Sequence, residues 1–337
     1  MKLFLALLCF PCLLFAQQEV LKPLTSGVNT SIRGLSVVSD QVAWVSGSNG
    51  YVGKTTNGGR DWQWIKPDGY EKLDFRDIEA FDDQKAVIIN AGFPAHVLLT
   101  ADGGKSWQQT YINKDSLAFL DGMDFWDANN GIIFGDPIKN RLMLLRTFDG
   151  GRSWTEISTN LTKEMKVGEA GFAASGTTIQ TRGKGKVWIA SGGSVSNIYY
   201  SDNYGKSWKV YPCPIIQGQS STGPFSMDFL NEKLGIVVGG DYLKDKESFN
   251  NVQLTKNGGK SWFKPDVSVY GYRSGVAYVN NRLCYATGTS GTDYSTDGGL
   301  NWHRLSELKF NAVKKAKKGS LVLLAGNKGQ IYQLSYQ

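Results

Sequence analysis

Cysteine and histidine are scarce in this chain, whose 337 residues include four cysteines and two histidines. So few histidines argue against a histidine-rich metal site and against a Ser-His-Asp hydrolase. No Gly-x-Gly-x-x-Gly segment joins a strand to a helix, and the single Cys-x-x-Cys, from Cys9 to Cys12, lies in an apolar N-terminal run. We therefore predict no redox site, no cofactor and no metal site. No carboxylate-dense loop indicates calcium.

Proline is also infrequent, with nine residues, whereas glycine contributes 40. This composition excludes a collagen-like or low-complexity chain and is typical of a packed, turn-rich fold. Lysine and arginine outnumber aspartate and glutamate by 37 to 30, which gives a formal net charge of +7. Part of the excess comes from one lysine cluster, made up of Lys309, Lys314, Lys315, Lys317 and Lys318. Such a cluster is usually a solvated turn, and alternatively it could meet an acidic partner.

The N-terminus has the pattern of a cleavable signal peptide. Met1 and Lys2 precede an apolar run over residues 3–15, which is too short to span a hydrocarbon core of ~30 Å. Ala16 is a small residue suited to a cleavage site. We predict a signal peptide over residues 1–16, followed by a single domain over residues 17–337.

The predicted location follows from that signal peptide. The mature chain is expected to be exported, either to a periplasm or out of the cell, as a monomer with no nucleic-acid partner. A buried N-terminal strand is the alternative reading of the run, and Pro11 disfavours lipidation at Cys9 or Cys12. No later segment is apolar enough to cross a membrane, and Cys213 and Cys284 are predicted to be small core residues.

One short phrase recurs six times along the chain, at residues 56–62, 100–107, 147–154, 201–208, 255–262 and 295–302. Each copy has the features of a tight hairpin turn. An Asp or Asn side chain folds back onto backbone N–H groups, and the glycines adopt backbone conformations closed to other residues. A tryptophan then opens the next strand and packs beneath the turn.

The repeated phrase resembles the Asp-box, or BNR, repeat: Ser/Thr-x-Asp-x-Gly-x-Ser/Thr-Trp. We assign a structural role to its members, which are Asn57, Asp102, Asp149, Asn203, Asn257, Asp297, Trp62, Trp107, Trp154, Trp208, Trp262 and Trp302. The resemblance is specific for a fold and weak for function, because sialidases, sorting receptors, xyloglucanases and assembly factors all carry such boxes.

Further strand signals precede each box. The first signal of each unit predicts an inner strand, at residues 32–38, 77–81, 122–126, 171–174, 225–230, 275–279 and 312–316. Four strands per unit of about 45 residues are typical of a propeller blade. The seventh unit, residues 310–336, has three strand signals and no box, and residues 19–24 are predicted to supply its outer strand. The sequence thus predicts an all-β, seven-bladed β-propeller whose ring is closed by the N-terminal strand.

Propeller geometry places the boxes on one face and the starts of the inner strands on the other, around a central channel. The second face collects charged side chains: Arg33, Arg76, Asp121, Glu169 and Arg273 at the strand starts, with Asp136, Asp241 and Tyr242 in the overhanging loops. These residues predict a site for a protein, an anion or a glycan. The alternative is that arginines and carboxylates only satisfy one another around a wet channel.

A second resemblance bears on function. Residues 75–78, 125–127, 168–177, 239–242 and 271–274 are similar to phrases of the photosystem II stability/assembly-factor-like propellers and their non-photosynthetic bacterial relatives. That resemblance implies a non-enzymatic scaffold that uses an arginine-lined surface to hold an assembling membrane protein. We therefore predict an exported binding or scaffold protein.

The alternative function is a carbohydrate hydrolase that uses the same face. Three arginines, an Asp and a Tyr suggest a sialidase, but the Phe/Tyr-Arg-Ile-Pro motif of that family is absent and its usual blade number is six. Another glycosidase could use a carboxylate pair drawn from Asp121, Asp136, Glu169 and Asp241. Whether the protein is an enzyme stays open at this point.

Overall fold

Short strands and tight turns make up almost all of residues 19–336, the part of the chain that the computed structural model describes. The strands form seven sheets arranged as a ring of blades, so the predicted seven-bladed β-propeller is confirmed. The predicted signal peptide, residues 1–16, lies outside the described residues. Within residues 19–336 there is no helix with the length and apolarity needed to cross a bilayer.

In blades one to three the chain runs outward from the channel through four antiparallel strands. Blade one has strands Ile32–Val37, Ala43–Gly47, Val52–Thr55 and Gln63–Ile65. Blade two has strands Asp74–Ala80, Ala86–Ala91, Ala95–Thr100 and Gln108–Asn113. Blade three has strands Leu120–Phe125, Gly131–Ile138, Arg141–Thr147 and Thr155–Glu156.

Blade six follows the same plan, and blades four, five and seven vary it. Blade four has strands Glu169–Ala170, Ile179–Arg182, Lys186–Gly193, Asn197–Ser201 and Lys209–Pro212. Blade five has strands Thr222–Phe229, Gly235–Asp241 and Val252–Thr255. Blade six has strands Gly275–Tyr278, Cys284–Gly288, Gly291–Ser295 and His303–Ser306. Blade seven has strands Ala312–Lys315, Val322–Ala325, Ile331–Tyr336 and Glu19–Thr25.

Two details of the predicted blades are wrong. In blade four, residues 171–174 are not a strand; the inner strand is Ile179–Arg182, and residues 171–178 loop inward between it and Glu169–Ala170. In blade five the fourth strand is reduced to one bridge, in which Leu254 and Phe263 exchange backbone hydrogen bonds of 2.9 Å. Pro265 follows two residues later, and its lack of an N–H ends the pairing.

The core lies between the blades. Strand residues of neighbouring blades share apolar clusters, such as the one that joins Val87 and Val97 of blade two to Ile133 and Leu145 of blade three. The first and last blades are joined in the same way, because Ile32 of blade one packs in one cluster with Leu323 of blade seven. Burial of these apolar side chains between adjacent blades supplies the main stabilisation of the ring.

The ring closes where the first described strand pairs with the last one. Glu19–Thr25 lies antiparallel to Ile331–Tyr336, with Leu21 opposite Leu334 and Thr25 opposite Ile331. Leu21 packs against the cluster of blade seven, and Leu24 packs against the cluster shared with blade one. The N-terminal strand therefore covers the outer edge of the last blade, as predicted.

The six box turns share one hydrogen-bond pattern, which the second box illustrates. Ser106 donates its backbone N–H and its hydroxyl to the Asp102 carboxylate, at 3.0 and 2.6 Å. The Thr100 hydroxyl accepts the buried backbone N–H of Gly104 at 2.9 Å. These bonds to Asp102 hold the pKa of its carboxyl down, at about 2. The Asp102 carboxylate thus accepts hydrogen bonds from the exposed donors of Ser106, and the Thr100 hydroxyl accepts one from the buried N–H of Gly104.

Thr100→Val is expected to lower the free energy of unfolding by about 1–3 kcal/mol, because it leaves the buried Gly104 N–H without an acceptor. Asp102→Ala, which frees the exposed donors of Ser106 to water, should cost less. Urea unfolding of both variants beside wild type measures the difference. An equal or larger loss for Asp102→Ala would contradict this division of roles within the box.

Candidate functional site

Four inner strands carry a β-bulge close to their first residues, on the face opposite the boxes. The bulged residue is Arg33 in blade one, Arg76 in blade two, Asp121 in blade three and Phe225 in blade five. A bulge leaves one residue without a partner across the ladder and redirects its side chain. All four side chains line a single cavity of about 490 Å³, which we call the arginine cavity.

The inward loop of blade four forms part of the wall of the arginine cavity. Gly171, Phe172, Ala173 and Ala174 line it, and Arg33 Nη1 donates to the Ala174 carbonyl at 3.0 Å. A side chain at Gly171 would collide with the Asp121 carboxyl, so glycine is required where this loop passes the third inner strand. The segment that the sequence predicted as a strand therefore serves the cavity instead.

The two arginines have hydrogen-bonding capacity left over. Arg76 Nε pairs with Asp74 at 2.8 Å, and Arg33 has no carboxylate within 4 Å among residues 19–336. Burial lowers the pKa of Arg33, and the like charge of Arg76 lowers it further. A bound anion therefore stabilises the charged form of such a buried, repelled guanidinium more than that of an exposed one.

Two carboxyl groups face the same cavity. Asp121 is 1% exposed, and neither of its carboxyl oxygens has a hydrogen-bond partner among the described residues. Burial raises the pKa of Asp121 well above its usual value, and the neighbouring Asp136 raises it further. Asp136 is better satisfied, because the Gly171 backbone N–H donates to it at 3.0 Å. A buried polar group without a partner is rare and calls for a ligand or water.

Aromatic rings form the rest of the wall. Phe172 stacks on Phe225 with ring centroids 4.1 Å apart, and Tyr272 meets Phe225 edge-on at 4.8 Å. Tyr242 also meets Phe225 edge-on, at 6.0 Å, and is 47% exposed. The cavity thus joins cations, an unpaired acid and an apolar wall, a mixture typical of ligand-binding clefts.

The other three predicted site residues lie elsewhere and already have partners. Glu169 is buried and accepts hydrogen bonds from Ser191, Asn197 and Tyr199, at 2.5, 2.9 and 2.8 Å. Asp241 is buried and accepts the Leu243 N–H at 3.0 Å. The structure therefore brings together Arg33, Arg76, Asp121, Asp136 and Tyr242 and leaves Glu169, Asp241 and Arg273 outside the cavity.

Arg273 is the most constrained of the three. Its side chain is completely buried and forms an ion pair with Asp293. Arg273 Nη1 donates to the Tyr272 carbonyl at 2.8 Å and Nη2 donates to the Tyr270 carbonyl at 3.2 Å. This guanidinium holds the loop that carries Tyr272, so it supports the aromatic wall from behind.

Of the aromatic residues at the site, sequence reasoning identified Tyr242 and missed Phe172, Phe225 and Tyr272. Phe172 and Phe225 fall in segments predicted as inner strands, and Tyr272 directly precedes Arg273, which was the predicted site residue. An alignment of the inner strands with one another contains the signal for Phe225, since it occupies the position of Arg33, Arg76 and Asp121. No group of three or more His, Cys, Asp or Glu side chains suited to a metal ion occurs between residues 19 and 336.

Comparison with known proteins agrees with the repeat and the ring. The BNR/Asp-box repeat family matches residues 293–304, which contain the sixth box. The photosystem II assembly lipoprotein Ycf48 of Synechococcus sp. (strain CC9902) is 26% identical over 262 residues, covering 76% of this chain and 69% of that protein.

Solved structures extend the likeness to the whole ring. Ycf48 bound to a D1 peptide superposes with a TM-score of 0.68 at 16% identity, covering 96% of this chain and 99% of the other. Ycf48 from Cyanidioschyzon merolae gives a TM-score of 0.65 at 16% identity, covering 94% and 98%. At these identities the structural likeness shows the fold. The chain is a seven-bladed Asp-box propeller that resembles the Ycf48 assembly factors in sequence and in fold.

Proposed function

We propose that this chain is an exported binding propeller that holds an extended peptide segment of a partner protein in the arginine cavity. The observation that carries the proposal is the pair of cavity-lining arginines, Arg33 and Arg76, beside an aromatic wall. Arginine forks suit carboxylates, and aromatic walls suit apolar side chains. A peptide with an acidic residue next to an apolar one offers both groups.

Asp121 adds a requirement for a hydrogen-bond donor. Its two carboxyl oxygens are unpartnered and lie against the cavity, so a backbone N–H of the bound peptide would satisfy an acceptor that the protein leaves open. Burial favours the protonated form of Asp121, which presents an acceptor oxygen beside its O–H donor. A peptide bond offers both a donor and an acceptor, so it matches Asp121 better than an inorganic anion that only accepts.

The relatives support this choice of ligand. The curated relative is named as an assembly lipoprotein, and one superposed structure is described as bound to a D1 peptide. By analogy with these relatives, we infer that this chain holds a protein client on a non-catalytic surface. The client of this chain need not be photosynthetic.

The test is capture of the client from an envelope extract, followed by titration with synthetic peptides that tile the captured protein. Arg33→Ala/Arg76→Ala is expected to weaken peptide binding roughly 30-fold or more, because truncating a buried charged partner costs about 2–5 kcal/mol. The matched control is Arg60→Ala/Arg152→Ala, which removes two exposed arginines from box turns. Equal affinity for all three proteins would refute the assignment of the cavity.

One observation favours a hydrolase as the second candidate. Asp121 and Asp136 lie in one cavity, and burial raises the pKa of both carboxyl groups, as a general acid requires. Glu169 and Asp241 do not face that cavity, which leaves a single carboxylate pair. Cleavage of a glycan by wild type, abolished by Asp121→Asn, would establish the hydrolase and displace the binding proposal.

A further inference from the structure

The lysine cluster lies mostly at the other end of the channel. Lys314, Lys315, Lys317 and Lys318 line a second cavity of about 640 Å³, on the face that carries the boxes. We call it the lysine cavity. Lys309 is not part of its lining, since it lies in the loop before Ala312–Lys315, on the arginine-cavity face. Arg182 adds a fifth cation to the lining.

The carboxylates of the lysine cavity are already in use within the protein. Asp124 accepts the Thr181 and Phe125 backbone N–H groups, at 2.6 and 2.8 Å. Asp228 accepts the Tyr278 N–H at 2.7 Å and the Gln180 side-chain amide at 2.8 Å. These bonds fasten the inner strand of one blade to that of the next. They leave the two carboxylates little capacity to bind a cation or a ligand donor.

Glu79 and Asp127 are occupied as well. Lys317 forms an ion pair with Glu79 and also donates to the Ala80 carbonyl at 3.0 Å. Asp127 accepts the backbone N–H groups of Asn129 and Asn130, at 2.8 and 2.9 Å. All four acidic side chains that line the lysine cavity therefore have internal donors.

Two of the lysines have no direct hydrogen-bond acceptor. Lys315 donates to the Gly319 carbonyl at 2.6 Å, whereas the ammonium groups of Lys314 and Lys318 have no hydrogen bond and no ion pair within 4 Å among residues 19–336. Burial raises the pKa of the carboxyls of Asp124 and Asp228, and at longer range the charge of Lys314 lowers both pKa values in part. Lys314 is half-buried, and Lys318 is exposed at the rim. What the lysine cavity has left to offer is hydrogen-bond donors and positive charge, at two depths.

We propose that the lysine cavity is a second binding site, for an acidic peptide segment of a partner protein. The volume of about 640 Å³ falls in the usual range of ligand clefts and exceeds the needs of one inorganic anion. Two ammonium groups without a hydrogen-bond acceptor, one half-buried and one at the rim, suit carboxylates carried by one chain that enters the channel. This site is independent of the arginine cavity and of the function proposed for it.

The test uses fluorescence anisotropy of a labelled hexaglutamate peptide, at low and at physiological ionic strength. Lys314→Met/Lys318→Met is expected to weaken binding roughly tenfold or more, and added salt should weaken binding to wild type. Lys309→Met is the matched control from the same cluster, and it should bind as wild type does. Lys318→Met alone changes an exposed side chain, so a loss of affinity in that variant cannot be attributed to misfolding.

Three results would overturn the proposal. One is equal affinity of wild type and the double lysine variant for the peptide. Another is loss of hexaglutamate binding in Arg33→Ala/Arg76→Ala, which would place the peptide in the arginine cavity instead. The third is binding of inorganic phosphate that depends on Lys314 and Lys318 without binding of the peptide, which would make the ligand a small anion.

Discussion

Arg273→Met is expected to lower the free energy of unfolding by about 3 kcal/mol, because it removes the completely buried partner of Asp293 and leaves that carboxylate only the partly exposed Arg304, 3.2 Å away. Both side chains of that pair, Arg273 and Asp293, are completely buried. The guanidinium also donates to the Tyr270 and Tyr272 carbonyls, and both acceptors would lose a bond. Thermal and urea unfolding of the purified variant measure the loss.

Two further variants separate the ion pair from simple packing. Arg273→Met/Asp293→Leu removes both buried charges and leaves Arg304, which is partly exposed and also pairs with Glu307, so it should recover part of the stability that the single variant loses. Arg273→Lys keeps the charge and loses the planar fork, so it should fall between wild type and Arg273→Met. A single variant as stable as wild type would show that the buried pair contributes nothing. Arg273 holds the loop that carries Tyr272. Weakened peptide binding in Arg273→Lys would therefore show that Arg273 positions the aromatic wall.

Removal of the closing strand is the second change for which we expect a large effect. A chain that begins after Thr25 loses the partner of Ile331–Tyr336 and the side chains of Leu21 and Leu24, which pack on two clusters. We expect a loss of about 3 kcal/mol or more from the apolar contacts alone. The uncovered edge should also promote association between chains. Unfolding curves and size-exclusion chromatography measure the two consequences.

Adding the strand back provides the control. A synthetic peptide of residues 17–27 should bind the shortened chain by strand addition, restore its melting temperature and return it to the elution volume of wild type. A peptide with Leu21→Asp and Leu24→Asp should fail to do so, because each leucine packs against an apolar cluster. If the shortened chain is as stable and as dispersed as wild type, the closure of the ring does not depend on this strand.

The fold could be predicted from sequence because its signal is local and repeated. Each box contains its own turn chemistry, six copies fix the repeat length, and a seventh set of strand signals without a box completes the blade count. The fourth blade shows the limit of that reasoning. Residues 171–174 have the composition of a strand, yet the contacts of the loop with Arg33 and Asp121 decide its path. Such contacts join residues far apart in sequence, so periodicity does not reveal them.

The candidate site was predictable in part for the same reason. Strand order was enough to place Arg33, Arg76 and Asp121 at one mouth of the channel. It was not enough to distinguish a side chain that a bulge turns into the cavity from one that is buried behind it, as Arg273 is. The register of strand pairing decides whether a residue is bulged toward the cavity. That register depends on hydrogen bonds between strands, which the sequence alone does not specify.

The bulges also separate what this ring needs for folding from what it offers to a ligand. A bulged residue has no partner across the ladder, so its side chain can change without shifting the register of the strand. Positions 33, 76, 121 and 225 thus direct four side chains toward one opening, where Arg33 also holds the loop of blade four and Phe225 stacks on Phe172. The same scaffold could acquire a new specificity by exchanging these side chains, while the six boxes and the closing strand continue to hold the blades together.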